Sequence, residues 1–260
     1  MTAFGVFIIG DEILSGKRQD KHLARAIGAL ARRGLALAWA RYLGDERERI
    51  AAALRETLAT PDVVFSFGGI GATPDDHTRQ AAAQAAGVPL ELHPEAKAEI
   101  EARFGAEAYP RRIRMGEFPA GSLIVPNPFN RVPGFSLGNH HFLPGFPEMA
   151  WPMLEWLLDT RYGHLRRTER EVDEAILVRD AGESQLVDLM NLIVSRYPQL
   201  KLFSLPHLGP GQRHIELGVR GEAMAVARAM GEIRAGVASS GFPWEPREPL
   251  PDPSTRPQSA

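Results

Sequence analysis

The feature that most constrains the fold is a threefold alternation of apolar, strand-like runs with amphipathic segments. Such repeated strand–helix–strand units give parallel strands joined by right-handed crossovers. The first part of the chain is therefore predicted to be an α/β domain built on an open, parallel sheet. The predicted strands span residues 4–9, 35–43 and 62–67, and the helices that follow them span residues 20–34, 46–59 and 75–87.

The pattern changes further along the chain. A stretch rich in proline, glycine and asparagine, residues 106–146, is too long for an idle connection and is predicted to hold functional loops and short strands. A predicted helix at residues 148–163, with Pro152 in its first turn, closes the domain. The predicted organisation is a first domain at 1–163, a small βαββα domain at 164–238 and a proline-rich, disordered tail at 239–260.

Composition excludes several classes of function. The chain has 260 residues and no cysteine, which rules out disulfides, thiolate metal sites and a cysteine nucleophile. Its net charge of −2 gives no general attraction to nucleic acid or to anionic lipid, so neither is an expected partner. No apolar run approaches the roughly 20 residues that cross a bilayer, and residues 1–10 resemble a first strand more than a signal peptide. A cytoplasmic location is expected.

Three glycines, Gly68, Gly69 and Gly71, directly follow the third predicted strand. Glycine permits positive φ angles and lets a ligand approach bare backbone N–H groups. A helix beginning near Thr73 would direct its positive end to the same place. The segment therefore predicts an anion site, and the alternative is a tight strand-to-helix turn that binds nothing.

Two acids follow these glycines at once, Asp75 and Asp76. Thr73 and Asp76 have the spacing of a capping box, so a purely structural role for Asp76 is the alternative. Two carboxylates beside a phosphate would repel it by roughly 4 kcal/mol per close pair at an effective dielectric constant near 20. A bound phosphate would therefore need a divalent cation between, and Mg²⁺ prefers this combination of ligands.

Acids also follow the first two predicted strands. Taken singly, Asp20 and Asp45 are each explained as an ordinary helix N-cap. Because ligands bind beyond the carboxyl ends of parallel strands, these loops are expected to converge with the glycine segment in one crevice. The residues concerned are Gly10, Asp11, Glu12, Ser15, Gly16 and Asp20 after the first strand and Asp45 after the second.

Four segments resemble the molybdopterin-binding domain of molybdenum-cofactor biosynthesis proteins, a group that includes MogA, MoaB, MoeA, gephyrin and CinA. They are GDEILSG (10–16), GGIGATPDDHT (68–78), PNPFNRVPG (126–134) and FLPGFPEMAWPM (142–153). The last two are similar to the CinA-like branch. The resemblance covers residues 4–160, and residues 168–236 resemble the small KH-like domain that follows it in CinA proteins.

The resemblance implies a three-layer α/β/α fold, a homo-oligomer (dimer or trimer), and a molybdopterin or nucleotide ligand bound with Mg²⁺ or another divalent cation. It implies catalytic roles for Asp45 and Asp76, with Asp45, Asp75 and Asp76 holding the metal. The ligand-binding positions that the motifs and the resemblance suggest are Gly10, Ser15, Gly16, Gly68, Gly69, Gly71, Thr73, Thr78, Asn127, Pro144 and Gly145.

Three activities are compatible with the resemblance. One is nucleotidyl transfer to the pterin phosphate in molybdenum-cofactor biosynthesis, and another is metal-dependent cleavage of ADP-ribose, the activity associated with CinA proteins. The third is a scaffold or regulatory module without activity, which departures from the family pattern at His22, Ala72 and Asn130 allow. A stand-alone form is expected, because the nicotinamide-nucleotide deamidase domain of full-length CinA is not in the sequence.

Overall fold

The computed structural model describes residues 3–166, 171–209 and 212–247. They form two compact units that are divided after Arg166, and each unit is described by itself. Among the described residues, none of the helices combines the length and the apolar character that crossing a bilayer requires.

The first unit alternates strands and helices as predicted. Its strands are β1 (Phe4–Ile9), β2 (Leu37–Leu43), β3 (Val63–Phe67), β4 (Leu90–Leu92), β5 (Glu117–Pro119), β6 (Leu123–Val125), β7 (Gly134–Leu137) and β8 (His140–Leu143). Its helices are α1 (Asp11–Leu14), α2 (His22–Ala31), α3 (Arg47–Leu58), α4 (Thr78–Ala86), α5 (Pro94–Phe104) and α6 (Pro147–Thr160).

Six of these strands form the central sheet, in the order β2–β1–β3–β8–β7–β6. The first four are parallel to one another, whereas β7 and β6 are antiparallel additions at one edge. Strands β4 and β5 pair separately as a two-stranded antiparallel ribbon. The predicted α/β fold with a mainly parallel sheet is confirmed.

Both faces of the sheet are covered, because side chains of a strand alternate between its two faces. From β1, Val6 and Ile8 pack with α2 and α6, whereas Phe7 and Ile9 pack with α3 and α4. Apolar residues on both sides therefore produce two separate cores. The result is the three-layer α/β/α arrangement that the resemblance implied.

Two predicted details of the helices are wrong. Helix α4 begins at Thr78, with His77 as its N-cap, so Thr73 does not cap it. Helix α6 begins at Pro147, which places Pro152 in the helix interior and not in its first turn. A proline there removes one helical hydrogen bond, since it has no N–H to donate.

The second unit has the predicted βαββα order and one more strand. Its elements are β9 (Val172–Arg179), α7 (Glu183–Arg196), β10 (Lys201–Gly209), β11 (Gln212–Gly221), α8 (Ala223–Ser239) and β12 (Trp244–Pro246). The strands form an antiparallel sheet in the order β10–β11–β9–β12. Its apolar core includes Ile176, Leu217 and Ile233.

The predicted disordered tail at 239–260 needs correction in its first part. Residue 239 still belongs to α8, and residues 244–246 pair with β9 as an edge strand. Edge strands tolerate proline because one side of their backbone has no partner strand, which explains why Pro246 does not prevent pairing. The remainder, residues 248–260, lies outside the described residues.

Candidate functional site

The four parallel strands all end at the same edge of the sheet. Beyond the strand ends, the N–H of Gly10 donates to the carbonyl of Leu43 at 3.0 Å, and the N–H of Gly68 donates to the carbonyl of Leu143 at 3.0 Å. These bonds hold the loops after β1, β2, β3 and β8 side by side. The sequence prediction that these loops converge agrees with this geometry.

A cavity of about 470 Å³ opens at this edge, a size within the range of small-molecule sites. Three aspartates lie in its wall, Asp11, Asp45 and Asp75. We call this the acidic cavity. Its lining residues are Asp11, Leu14, Gly44, Asp45, Glu46, Arg49, Asp75 and His77.

Asp11 and Asp45 are joined by a reciprocal pair of hydrogen bonds. The N–H of Asp11 donates to Oδ2 of Asp45 at 2.9 Å, and the N–H of Asp45 donates to Oδ1 of Asp11 at 3.2 Å. The residue at the N-cap of α3 is Glu46, so the interpretation of Asp45 as a helix cap is wrong. Its carboxylate instead links the β1 and β2 loops.

The acidic cavity carries an excess of negative charge. Burial, followed by the neighbouring carboxylates of Asp11, Glu12 and Asp75, raises the pKa of Asp45 above its ordinary value, although a hydrogen bond from the N–H of Asp11 opposes this. The nearest cationic side chain in the wall, Arg49, is paired with Glu46 at 2.6 Å. The cavity is therefore suited to a cation more than to a bare anion.

These carboxylates fit a shared metal ion but not a self-sufficient metal site. Within residues 3–166, 171–209 and 212–247, no group of three or more histidines, cysteines or acids is arranged to hold a metal alone. Mg²⁺ commonly takes one or two protein carboxylates and completes its shell with water and substrate phosphate. Asp45 and its neighbours match that donor set.

The glycines after β3 are required by packing. Gly68 has a φ of 106°, and a Cβ there would lie 2.1 Å from the carbonyl oxygen of Ile9. Gly69 has a φ of 69°, and its Cβ would lie 2.3 Å from Oγ1 of Thr78. Both positions therefore exclude other residues with or without a ligand.

The same loop presents backbone donors. The N–H groups of Gly69, Ile70, Gly71 and Ala72 make no backbone hydrogen bond within the described part of the chain. Consecutive amides of this kind form concave sites for phosphate and other anions. We call residues 68–72 the amide loop.

Thr73 and Asp76 close the segment that follows. The carboxylate of Asp76 accepts hydrogen bonds from the N–H of Thr73 at 2.8 Å and from its hydroxyl. It also lies against Gly71, whose Cβ would be 2.5 Å from that carboxylate. Asp76 does not line the acidic cavity, whereas its neighbour Asp75 does, so the predicted catalytic and metal roles of Asp76 stay predictions.

Thr78 and the β1 loop supply little to the cavity. Thr78 is fully buried, and its hydroxyl donates to the carbonyl of Gly68 at 3.0 Å. Ser15 and Gly16 are exposed after α1 and lie outside the cavity wall. Gly10 uses its N–H in the bond to Leu43, as described above. These four predicted ligand contacts therefore stay predictions.

Asp20 and Gly145 are held by a second set of contacts. Asp20 accepts hydrogen bonds from the N–H groups of His22 at 2.7 Å and Leu23 at 3.2 Å, which agrees with a role at the helix start. Nε2 of His22 lies 3.1 Å from the carbonyl of Gly145, next to Pro144, and the imidazole stacks on Phe67. Neither Pro144 nor Gly145 reaches the acidic cavity wall.

Asn127 lies elsewhere. It is buried, and its side-chain amide donates to Oδ1 of Asn130 at 2.8 Å and to the carbonyl of Val132 at 2.9 Å. It lines a smaller cavity of about 260 Å³ that also includes Trp156. The structure therefore gives Asn127 a role in shaping the loop at 126–134 and does not bring it to the acidic cavity.

Sequence reasoning missed Arg79, a side chain only 2% exposed. Its Nη2 donates to the carbonyl of Gly71 at 2.7 Å, and its Nη1 donates to the carbonyls of Glu117 at 3.1 Å and Arg114. The nearest carboxylate, that of Glu117, is 3.8 Å away. Partners 35 and 38 residues distant leave no local signal in the sequence.

Beneath the site, β8 carries two buried histidines on opposite faces. Nε2 of His140 lies 2.8 Å from the hydroxyl of Thr57, whereas Nε2 of His141 lies 2.6 Å from that of Tyr162. Burial lowers the pKa of His140 to about 4 and that of His141 to about 3. Both are neutral structural groups near pH 7.

Comparison with known proteins agrees with this architecture. Residues 5–164 match the family model described as "Probable molybdopterin binding domain". A CinA-like protein of Geobacter metallireducens is 38% identical over 171 residues, which cover 62% of this chain and 41% of that protein. A protein of Caldivirga maquilingensis is 32% identical over 197 residues, covering 73% of this chain and 75% of its own length.

A solved structure gives the same result. The crystal structure of CinA from Thermoplasma acidophilum, described as a protein with unknown function, aligns with a TM-score of 0.56 and 28% identity. The alignment covers 60% of this chain and 95% of that one. The chain spans about 40% of the length of the CinA-like relatives that it matches. By the family match over residues 5–164, the chain belongs to the molybdopterin-binding domain family, and its relatives include CinA-like proteins.

Proposed function

We propose that the first unit binds the phosphate of a molybdopterin or a nucleotide on the amide loop, with Mg²⁺ between that phosphate and the acidic cavity. The observation that carries the proposal is a loop of four unpaired amides, Gly69–Ala72, that follows β3 and leads within a few residues to Asp75 and His77 of the acidic cavity wall. Membership of the family supports a pterin ligand, and the nucleotide is the alternative.

The charges explain why both parts would be needed. Four amides can neutralise part of a phosphate, but each close carboxylate repels it by roughly 4 kcal/mol at an effective dielectric constant near 20. Asp45 already holds its charge at a cost, since its pKa is raised by burial and by neighbouring acids. A divalent cation would relieve both unfavourable interactions at once.

The residues of the chain would divide the work. The amide loop would orient the phosphate, and Asp45 with one neighbouring carboxylate, that of Asp11 or Asp75, would hold the metal ion from the cavity side, with water and the phosphate completing its shell. When bound, Mg²⁺ would supply charge neutralisation for transfer or cleavage at a phosphate. Such reactions depend on positioning and electrostatics more than on covalent help from the protein.

Isothermal titration calorimetry with molybdopterin, ATP and ADP-ribose, each with and without Mg²⁺, tests the proposal. We expect Mg²⁺-dependent binding of at least one, and a loss of about tenfold in affinity for Asp45→Asn, equivalent to about 1.4 kcal/mol. Asp188→Asn, an exposed aspartate of α7, is the matched control and should bind like the wild type. Release of AMP from ADP-ribose would separate cleavage from binding alone.

Two results would contradict the proposal. One is the absence of binding by all three compounds in the presence of Mg²⁺. The other is binding of equal strength with and without Mg²⁺ that Asp45→Asn leaves unchanged.

A further inference from the structure

Arg79 is a buried charge that the proposed phosphate site does not itself use. It lies one residue into α4, and its guanidinium contacts three carbonyl groups, those of Gly71, Arg114 and Glu117. Its Nε is buried without a hydrogen-bond partner in the described structure. A charged group is costly to bury with so few partners, which suggests a role beyond packing.

The contact with Gly71 fixes the direction of one peptide group. In a planar trans peptide the C=O and the following N–H point in opposite directions. The carbonyl of Gly71 points to the buried guanidinium at 2.7 Å, so the N–H of Ala72 must point away from it. Ala72 is exposed, and its N–H makes no backbone hydrogen bond in the described chain.

We propose that Arg79 is a positioning residue that turns the Gly71–Ala72 peptide so that the N–H of Ala72 faces the bound phosphate. This inference rests on the proposed function, because it explains how the buried Arg79 side chain orients one hydrogen-bond donor of the proposed phosphate site, the N–H of Ala72. Arg79 anchors the amide loop to the segment at Arg114–Glu117 and does not touch the ligand.

The carboxylate of Asp76 completes the brace from the other side. It packs against Gly71 and holds Thr73, so the loop is fixed on both sides of the Gly71–Ala72 peptide. The opposite charges of Asp76 and Arg79 favour this arrangement. Rotation of the peptide would break contacts on both sides, and the amide is therefore set before a ligand arrives.

The test uses inorganic pyrophosphate with Mg²⁺ as the probe, read by calorimetry and by the ¹H–¹⁵N signal of Ala72 in the full chain. In the wild type we expect binding and a shift of the Ala72 amide signal. Arg79→Met should bind at least tenfold more weakly and lose that shift. Arg79→Lys keeps a cation that can reach one carbonyl, so it should recover part of both.

Arg33→Met is the matched control, since Arg33 is also a buried arginine, held between Glu155 and Asp159 on the α2–α6 side. It should bind pyrophosphate like the wild type even if it melts at a lower temperature. A merely structural role for Arg79 would change the melting temperature in both variants and leave the affinity of each intact.

The outcomes separate this inference from the function on which it rests. If the wild type binds no pyrophosphate, the Arg79 variants are titrated instead with whichever of molybdopterin, ATP and ADP-ribose binds, and if none of these binds the proposed phosphate site is wrong and the inference ends with it. If the wild type binds but folded Arg79→Met binds within twofold of it with the Ala72 shift unchanged, the site stands and the role of Arg79 is wrong. If Arg79→Met does not fold, the Arg79→Lys affinity and Ala72 shift decide between the same two results.

Discussion

Asp75 and Asp76 are neighbours in sequence, yet they belong to different parts of the site. Asp75 is exposed and lines the acidic cavity together with Asp11 and Asp45. Asp76 bonds to Thr73 and packs against the amide loop. One region is a group of like charges with little to neutralise it, and the other is a backbone turn whose shape is fixed by contacts inside the protein although its amides stay unpaired.

The difference shows that one sequence motif can serve two separate structural elements, here the acidic cavity and the amide loop. The cavity costs energy in the absence of a cation, as the raised pKa of Asp45 indicates. The amide loop is held by packing at Gly68 and by the Arg79 brace whether or not a ligand is present. Substitutions in the loop should therefore affect folding first, and substitutions in the cavity should affect metal-dependent binding first.

The largest effect should come from Gly68→Ala in the amide loop. The new Cβ would meet the carbonyl oxygen of Ile9 at 2.1 Å in a backbone conformation with a φ of 106°, so strain and overpacking both act. We expect a loss of about 3 kcal/mol or more in the free energy of unfolding, measured by urea denaturation.

Gly16→Ala is the control for that substitution. Gly16 also has a positive φ, 72°, but nothing lies within 4 Å of a Cβ there. It should cost only about 1 kcal/mol, the strain of a left-handed conformation. Equal losses in the two variants would mean that the approach of Gly68 to β1 is not what fixes the loop.

A second prediction concerns acid stability, where the histidines and the cavity should act in opposite directions. His141 has a pKa of about 3 when folded and an ordinary value of 6.5, so below about pH 6.5 the unfolded chain binds a proton that the folded chain does not. The free energy of unfolding should therefore fall by up to about 1.4 kcal/mol per pH unit for this one group.

The slope of stability against pH between 6.5 and 4 measures this effect. His141→Gln should flatten the slope, whatever it does to stability at pH 7. Asn191→Gln, an exposed substitution that adds and removes no titrating group, should leave the slope as it is. An unchanged slope in His141→Gln would show that acid sensitivity arises elsewhere.

The third prediction compares alanine substitutions of the two neighbouring aspartates, Asp75 and Asp76. Asp75→Ala should weaken Mg²⁺-dependent ATP or pterin binding by about fivefold, close to 1 kcal/mol, with little change in stability. Asp76→Ala should instead lower stability by about 1 kcal/mol, because Thr73 loses its acceptor. Calorimetry on both variants measures the affinity, and urea denaturation measures the free energy of unfolding. If only Asp76→Ala weakened Mg²⁺-dependent binding, the metal role would belong to Asp76 and not to Asp75.

The smallest effect should be a gain in stability. In the ligand-free protein the pKa of Asp45 is raised, so its ionisation above that pKa destabilises the folded state. Asp45→Asn keeps an acceptor for Asp11 and removes the charge. We expect it to stabilise the protein by less than about 1 kcal/mol at pH 7, with the gain disappearing as the pH falls to the ordinary aspartate value near 3.8.

Added Mg²⁺ provides the contrast for that variant. A cation in the cavity would stabilise the wild type and not Asp45→Asn, so the gain should shrink as Mg²⁺ rises. A gain that stays constant with Mg²⁺ would contradict a metal role for Asp45.

The sequence predicted the sheet and part of the site well, because hydrophobic periodicity and strand-end position are local properties. It placed Asp45 and Asp75 at one edge of a parallel sheet, where both are found. It failed at Thr73, since the hydrogen bond from Thr73 to Asp76 has the spacing of a capping box although the helix begins at Thr78. The edge strand at Trp244–Pro246 was missed because its proline-rich surroundings predicted a disordered tail.

The remaining misses share a physical cause. The contacts of Arg79 join residues far apart in the chain. Sequence spacing cannot predict which distant backbone carbonyl a side chain will hydrogen-bond. The same applies to His22, whose ring contacts Gly145 across 123 positions. Such contacts become visible only once the sheet order is known.

The position of the cavity in the chain has a consequence for synthesis on the ribosome. Every residue of its wall lies between Asp11 and His77, whereas the carbonyls that anchor Arg79 belong to Arg114 and Glu117. Because domains generally fold as units, the carboxylates leave the ribosome before the segment that anchors Arg79 and stay unassembled until that segment follows. A growing polypeptide therefore exposes these separate carboxylates before the Gly71–Ala72 turn is fixed.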